Sequence, residues 1–341
     1  MPRFLRAGWV IAVSAIFVLG ACTGGQTVRP DERGQHQQHG DRLGQIIAMQ
    51  ERLNQVGGTL LTANASLCRN HVRNLVGFSA ANRYSYSLPM ATAASRHYGF
   101  DERLRVTNVV GNSGAGKAGL RKGDVLVTIE GKAVPVGPAA ESEVVKLLSP
   151  IVEKNSSVKM TVMRDGSAKA LAFPLTLACG FRVELGYSDN INALSDGQRI
   201  LVTQGMMRFA RTDAELAFVI AKEMAHNVLN HARSLQTTEG NRKIIDNLMQ
   251  LTPNPALPVV PSEPMTEQFD LDSDTLGLAM ALRAGYDIDY ATDFWARLTR
   301  TGSASYTASH PHSRARLDRM PNSIKRIKAA ERKRSGRSGR F

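Results

Sequence analysis

The sequence predicts an α+β protein: a mainly helical domain with a small sheet, interrupted by a β-rich insert. Helix-period apolar runs recur at Leu43 to Gln55, Thr212 to His231 and Gln268 to Ala284. Between the first two, from Arg105 to Leu175, short β-branched runs alternate with glycine turns. Cys68 and Cys179 bracket that stretch. A chain of 341 residues, 43% hydrophobic and 21% charged, has room for two domains and a buried core.

The N-terminus reads as targeting sequence. Arg3 and Arg6 precede the short apolar run Ala7 to Leu19, and Leu19-Gly20-Ala21-Cys22 closes it with small residues. This is the pattern of a signal peptide over residues 1–21, too short to span a bilayer comfortably. Its ending resembles a bacterial lipobox, which implies lipidation of Cys22 as the mature N-terminus; Thr23 in place of an aspartate implies outer-membrane retention. Residues 22–42, rich in Gly, Gln, His and charge, are expected to form a flexible tether. In an exported, oxidising setting the remaining thiols, Cys68 and Cys179, either pair as a disulfide or stay apart as small buried hydrophobes.

The first helix follows from Leu43, Ile46, Ile47, Met49 and Leu53, and a mixed segment extends to Pro89. Arg105 to Val110 reads as a strand and Gly111 to Gly116 as a turn. Ala118 to Gly131 supplies two glycine turns around the strand Val125 to Ile129. A helix-like Ser142 to Leu148 precedes strands Val158 to Arg164 and Ala170 to Leu175, with Asp165-Gly166 between them. This stretch resembles a PDZ domain of the bacterial periplasmic-protease type, over residues 98–177. The resemblance implies capture of an extended peptide or C-terminus as an added strand, with Tyr98, Gly99 and Phe100 as the carboxylate-binding loop. A PDZ fold kept as a rigid spacer or lid is the alternative.

Strands at Cys179 to Tyr187 and Arg199 to Thr203 flank the turn Asp196-Gly197, and Thr212-Asp213-Ala214-Glu215 is a capping box that starts the next helix. That helix carries Lys222-Glu223-Met224-Ala225-His226, the outline of H-E-x-x-H with lysine in the first place. In the motif, two imidazoles one turn apart hold zinc and the glutamate activates a metal-bound water. A protonated lysine offers no lone pair and repels a dication. Pro253 to Pro264 is a loop, and helices follow at Gln268 to Ala284 with Gly285 as its cap, Tyr290 to Leu298 and Ser313 to Arg332.

From Ile191 onward the chain resembles the HtpX and CAAX-prenyl-protease family of zinc metallopeptidases, in its periplasmic branch with an inserted PDZ domain. The carriers are Asp213 to Ala217 leading into Lys222 to His226, Asp270 to Gly277 followed by Arg283 to Asp287, and Ser309-His310-Pro311 with Arg316. The resemblance implies a gluzincin-type metallopeptidase domain split over residues 43–97 and 178–332, followed by a basic tail, 333–341. It makes Glu223 the general base, His226 a zinc ligand and Lys222 the occupant of the first ligand position. Asp270 stands at the glutamate ligand position with one methylene less reach. The resemblance also makes Asp274 the residue that orients a ligating histidine, and His310 a regulatory or site-proximal residue near the metal. His231 is expected to be structural, a cation suited to the helix dipole.

With two ligand positions altered, the reading is an envelope lipoprotein of the metallopeptidase family, acting in protein quality control or assembly, with zinc catalysis lost or weakened. Lys222 would pair with Asp270 or Glu223 where zinc should sit. The cofactor is zinc by family, or none in this chain. The alternatives are an active zinc endopeptidase whose site is rebuilt from His226, Asp270 and His310 or Asp274, and a purely structural scaffold. The expected partners are extended peptides or C-termini of envelope proteins and, through Cys22, a membrane. The expected location is the bacterial cell envelope, at the outer membrane and facing the periplasm. Nucleic acid is not expected. The formal charge is +13, but much of the excess gathers between Ser323 and Phe341, read as a solvated tail for which anionic lipid headgroups are the better match.

Overall fold

The computed structural model describes residues 30–301, 304–310 and 314–338. The signal segment 1–21, the lipidation position Cys22, Pro311 and residues 339–341 lie outside the described residues.

Helix α1 (Pro30–Ala63) begins well ahead of Leu43, so much of the expected tether is helical. Its buried stripe of Leu43, Ile46, Leu53, Val56 and Leu60 sets it into the main core. Strands β1 (Val72–Leu75) and β2 (Phe78–Ala81) follow, then helix α2 (Leu88–Tyr98). The insert continues with β3 (Arg105–Val109), α3 (Gly114–Lys117), β4 (Val125–Ile129), β5 (Lys132–Ala133), α4 (Ala140–Lys154), β6 (Ser157–Arg164), β7 (Ser167–Pro174) and β8 (Thr176–Cys179). Its antiparallel sheet runs β2-β3-β4-β6-β7, with β5 paired to β4. Leu104, Val106, Leu126, Ile129, Val162 and Phe173 form a core of its own. Because β2 pairs with β3, this sheet draws on residues ahead of Tyr98.

The insert leaves the chain and rejoins it through a two-stranded ribbon, β1 antiparallel to β8, with Val72 opposite Cys179. Cys68 and Cys179 are joined by a disulfide across this stem, with Cα atoms 5.5 Å apart and a sequence separation of 111.

The second half opens with β9 (Arg182–Gly186), β10 (Ala193–Ser195) and β11 (Arg199–Thr203), in the order β10-β11-β9. Gly180 separates β8 from β9, which breaks the single strand expected from Cys179 to Tyr187. Helices α5 (Gln204–Phe209), α6 (Asp213–Val228), α7 (His231–Ser234), α8 (Thr238–Leu248) and α9 (Glu267–Arg283) follow. The last are α10 (Ala291–Arg300), α11 (Ala304–Ser309) and α12 (Arg314–Ser338). Asn230, at φ 58°, ends the long helical run expected to reach His231. Helix α12 carries the start of the basic tail as helix to Ser338.

The Tyr98-Gly99-Phe100 expectation is corrected here. Gly99, at φ 66°, caps α2 in the left-handed conformation that glycine adopts freely. The Tyr98 hydroxyl donates to the Gly40 carbonyl at 3.3 Å, and Phe100 is buried in the core of the helical domain, 5.5 Å from the Tyr86 ring. These residues close a helix and fill a core; they do not form an open peptide loop.

Closing so long a loop should contribute about 2–5 kcal/mol to stability. The Cys68→Ser/Cys179→Ser double variant is expected to lose that amount in guanidinium unfolding, and the oxidised parent treated with reductant should match it.

Candidate functional site

Helices α6 and α9 pack closely because residue 277 is glycine: a Cβ there would lie 2.9 Å from both Cα and N of Lys222. The approach puts Lys222, Glu223 and His226 of α6 against Asp270 and Asp274 of α9. Thr212 caps α6 by accepting from the Glu215 amide, which fixes the start of the helix and the direction of its inner face. His310, just past α11, and Arg316 of α12 complete the cluster. Lys222, Glu223, Asp270, His226 and His310 are all between 0% and 1% exposed.

The Lys222 ammonium sits at the centre. Nζ donates to Asp270 Oδ1 at 2.6 Å, and lies 2.9 Å from His226 Nε2 and 2.8 Å from His310 Nδ1. His226 and Asp270 are the two residual ligand positions expected from the sequence. His310 also bridges the carboxylates, with Nδ1 2.8 Å from Asp270 Oδ1 and Nε2 3.1 Å from Glu223 Oε1. Ser195 of β10 donates to Glu223 Oε2 at 3.0 Å, and the Tyr306 hydroxyl reaches Oε1 at 3.4 Å.

The charges close within the cluster. Glu223, Asp270 and Asp274 face two fixed cations, Lys222 and Arg316, so one positive charge is wanting. Burial and Lys222 oppose a proton on His310, but Asp270 and Glu223 outweigh them and raise its pKa. A protonated His310 donates from both nitrogens to the two carboxylates and supplies the missing charge; Lys222 then donates to Asp270 and to His226. Burial works against charge on Glu223, yet His310, His226 and Lys222 bring its pKa down to about 2. Asp270 is likewise held well below the usual carboxylate value against its burial, chiefly by Lys222 and His310. Burial and the adjacent Lys222 charge push His226 down to about 3, so it is neutral and accepts at Nε2.

His226 then carries its proton on Nδ1, which meets His231 Nδ1 at 3.0 Å. His231 is buried, its pKa lowered by that burial, and stacks on Phe269 with centroids 4.1 Å apart. It is therefore a neutral neighbour of His226 and not a cation at a helix end. Asp274 also departs from expectation: among the described residues its side-chain partner is Arg316 and not a histidine. Arg316 takes it in a fork, Nε to Oδ2 at 2.8 Å and Nη2 to Oδ1 at 3.0 Å, while Nη1 reaches Asp270 Oδ2 at 3.1 Å. Asp270 is thus clamped from one side by Arg316 and from the other by Lys222.

The sequence reading assigned no role to Ser195 or Tyr306. Tyr306 had a local signal, since it stands one helical turn ahead of His310 on α11. Ser195 had none, because its approach depends on how β10 packs on α6. That strand is itself covered: Asn241 of α8 donates to the Ser195 carbonyl at 2.8 Å, and Leu194 packs with Ile244, Ile245, Leu248 and Val259.

Residues 153–324, just over half of the chain, match the profile of peptidase family M48. The chain belongs to peptidase family M48. Residues 75–175 match a PDZ domain. The chain is also similar to a mitochondrial metalloendopeptidase, OMA1 of Arabidopsis thaliana, at 26% identity over 126 residues. That match covers 35% of this chain and about a quarter, 26%, of the length of the plant protein. Among solved structures, the HtrA3 PDZ domain bound to a phage-derived ligand (FGRWV) shares 18% identity, covering 31% of this chain and 88% of that one, with a TM-score of 0.23.

M48 membership implies zinc, and Glu223, His226 and His310 each offer a ligand atom within 4.8 Å of the others. With Lys222 in place the site does not fit the ion. Zinc draws nitrogen and oxygen ligands to about 2.0–2.2 Å and, for catalysis, keeps one position open. Here the shell is set at 2.6–2.9 Å around a cation already covalently attached.

Removing the amine would leave Asp270 charged and buried. Lys222→Met should cost about 3–5 kcal/mol, and adding Asp270→Asn should recover part of it; equal losses in the single and double variants would deny the pairing. The cluster also fixes an acid response. The folded pKa of His226 falls from 6.5 to about 3, so its contribution is present above the ordinary value and lost as pH drops through that window. Glu223 adds a loss in the same direction between 4.5 and about 2. His310 acts oppositely, contributing fully below 6.5 and losing it as pH rises through its raised value. Thermal midpoints should therefore fall on acidification from about pH 6.5, less steeply in His226→Gln.

Proposed function

We propose that this M48 protein is a metal-free, non-hydrolytic member of its family that holds extended peptides through its PDZ domain. We infer further that it is anchored to the bacterial envelope through lipid on Cys22, faces the periplasm from the outer membrane, and serves protein quality control or assembly there. One observation carries the first part: the Lys222 ammonium lies within 2.9 Å of ligand-type atoms of Asp270, His226 and His310. A cation is thereby supplied without a Lewis acid, and Glu223 has no metal-bound water to deprotonate. The peptide reading rests on β2, an edge strand whose ladder to β3 leaves one side for an added strand.

A second reading, an active zinc endopeptidase with a rearranged site, is favoured by the ligand atoms of Glu223, His226 and His310 lying within 4.8 Å of one another. Metal analysis of purified protein separates the two. The proposal expects no stoichiometric zinc and no casein cleavage with or without chelator, and it expects zinc uptake by Lys222→His. Stoichiometric zinc in the parent, with cleavage abolished by chelator and by Glu223→Gln, would establish the second reading instead. For the anchor, labelled palmitate should be incorporated by the parent and not by Cys22→Ser.

A further inference from the structure

A cavity of about 800 Å³ lies between α9 and α12, away from the peptide edge of the PDZ sheet. Asp274 and Arg316 form part of its wall, but Lys222, Glu223, His226 and Asp270 do not line it. Its walls arrive with helical spacing. Leu271, Thr275 and Leu278 come from α9 at i, i+4 and i+7; Met320, Ser323 and Ile327 come from α12 at i, i+3 and i+7. Ala279 contributes a small side chain to the α9 wall, and Leu229, 38% exposed, leaves apolar surface facing the space.

The rim is cationic. Arg319 and Arg326 lie two turns apart on one face of α12, and both are exposed. Among the described residues neither enters an ion pair or a hydrogen bond, whereas Lys328 and Arg334 on the same helix pair with Asp289 and Glu331. On the α9 side, Asp272 accepts from Gln268 at 2.9 Å. An apolar trough with two uncommitted guanidinium groups at its lip complements a molecule with a hydrocarbon chain and an anionic head. The volume is that of small-molecule sites, about 300–1,000 Å³, which favours a single chain over a protein segment.

We propose that the cavity between α9 and α12 binds an anionic single-chain amphiphile, a long-chain carboxylate, with the chain on Leu271, Ala279, Met320 and Ile327 and the head between Arg319 and Arg326. The site is independent of whether the Lys222 cluster ever holds a metal. It has a natural reporter: Arg316 lies over the Trp295 ring at 3.8 Å, so a ligand against Arg316 changes the surroundings of Trp295.

Laurate, below its micellar concentration, should titrate the full chain saturably with one site by calorimetry and shift the Trp295 emission. Arg319→Glu/Arg326→Glu should weaken it by about tenfold or more, and Ala279→Trp, which fills the floor, should do the same. Dodecanol and acetate, the chain without charge and the charge without chain, should each bind more weakly than laurate. Circular dichroism and thermal midpoints equal to the parent's would show both variants folded, and a third variant, Thr275→Leu, narrows the trough should either misfold. The proposal is overturned if laurate shows no saturable binding, if dodecanol binds as well, or if folded variants bind laurate as the parent does.

Discussion

One buried ammonium organises the peptidase-family half of this chain. Lys222 holds Asp270 and His226, so α6 and α9 are tied at a single atom, and His310 joins the segment after α11 to them through Asp270 and Glu223. Arg316 extends the tie to α12 through Asp270 and Asp274. A buried ion pair is weak evidence for stability in itself, because desolvation offsets much of the attraction. What it enforces is mutual dependence: buried as they are, the charges of the group need one another in place. Gly277 makes the arrangement possible, since only a residue without a Cβ lets α9 come so near the backbone of Lys222.

Much of this was legible in the sequence, and the reasons are specific. The apolar period and the Thr212 cap give α6, and the spacing of Lys222 and His226 places both on one face. The disulfide is one of the two readings that Cys68 and Cys179 allowed, and the turns around Val125 to Ile129 locate the sheet of the module they bracket. Less legible were α2 and α8. The first opens on Leu88-Pro89, which reads as a break although proline is acceptable at a helix start. The second is mostly polar, with Ile244, Ile245 and Leu248 its only buried apolar residues, a short stripe among Thr, Asn and Gly. Tyr98-Gly99-Phe100 misled because one glycine pattern serves both a binding loop and a left-handed helix cap. The partner of Asp274 was unreadable, since Arg316 reaches it across 42 residues of chain.

The match to M48 spans residues 153–324, from the end of α4 into α12, and so takes in the small sheet, α6 and α9. A lysine can replace a ligand without disturbing the scaffold, provided its charge lands where a charge was required. Asp270, too short to reach as far as a glutamate, is suited to an amine brought to it on a flexible stem.

Helix α2 has a consequence for how the two halves are joined. It lies inside the insert by sequence, yet Met90, Ala93, Ala94 and Phe100 belong to the core shared with α1 and α6. The insert therefore has a private interior and a borrowed foundation. Together with the cross-linked stem of β1 and β8, this makes it a limb set into the body at two points. A peptide held on its edge would be joined to the body through packed side chains at one of those points and through a covalent cross-link at the other.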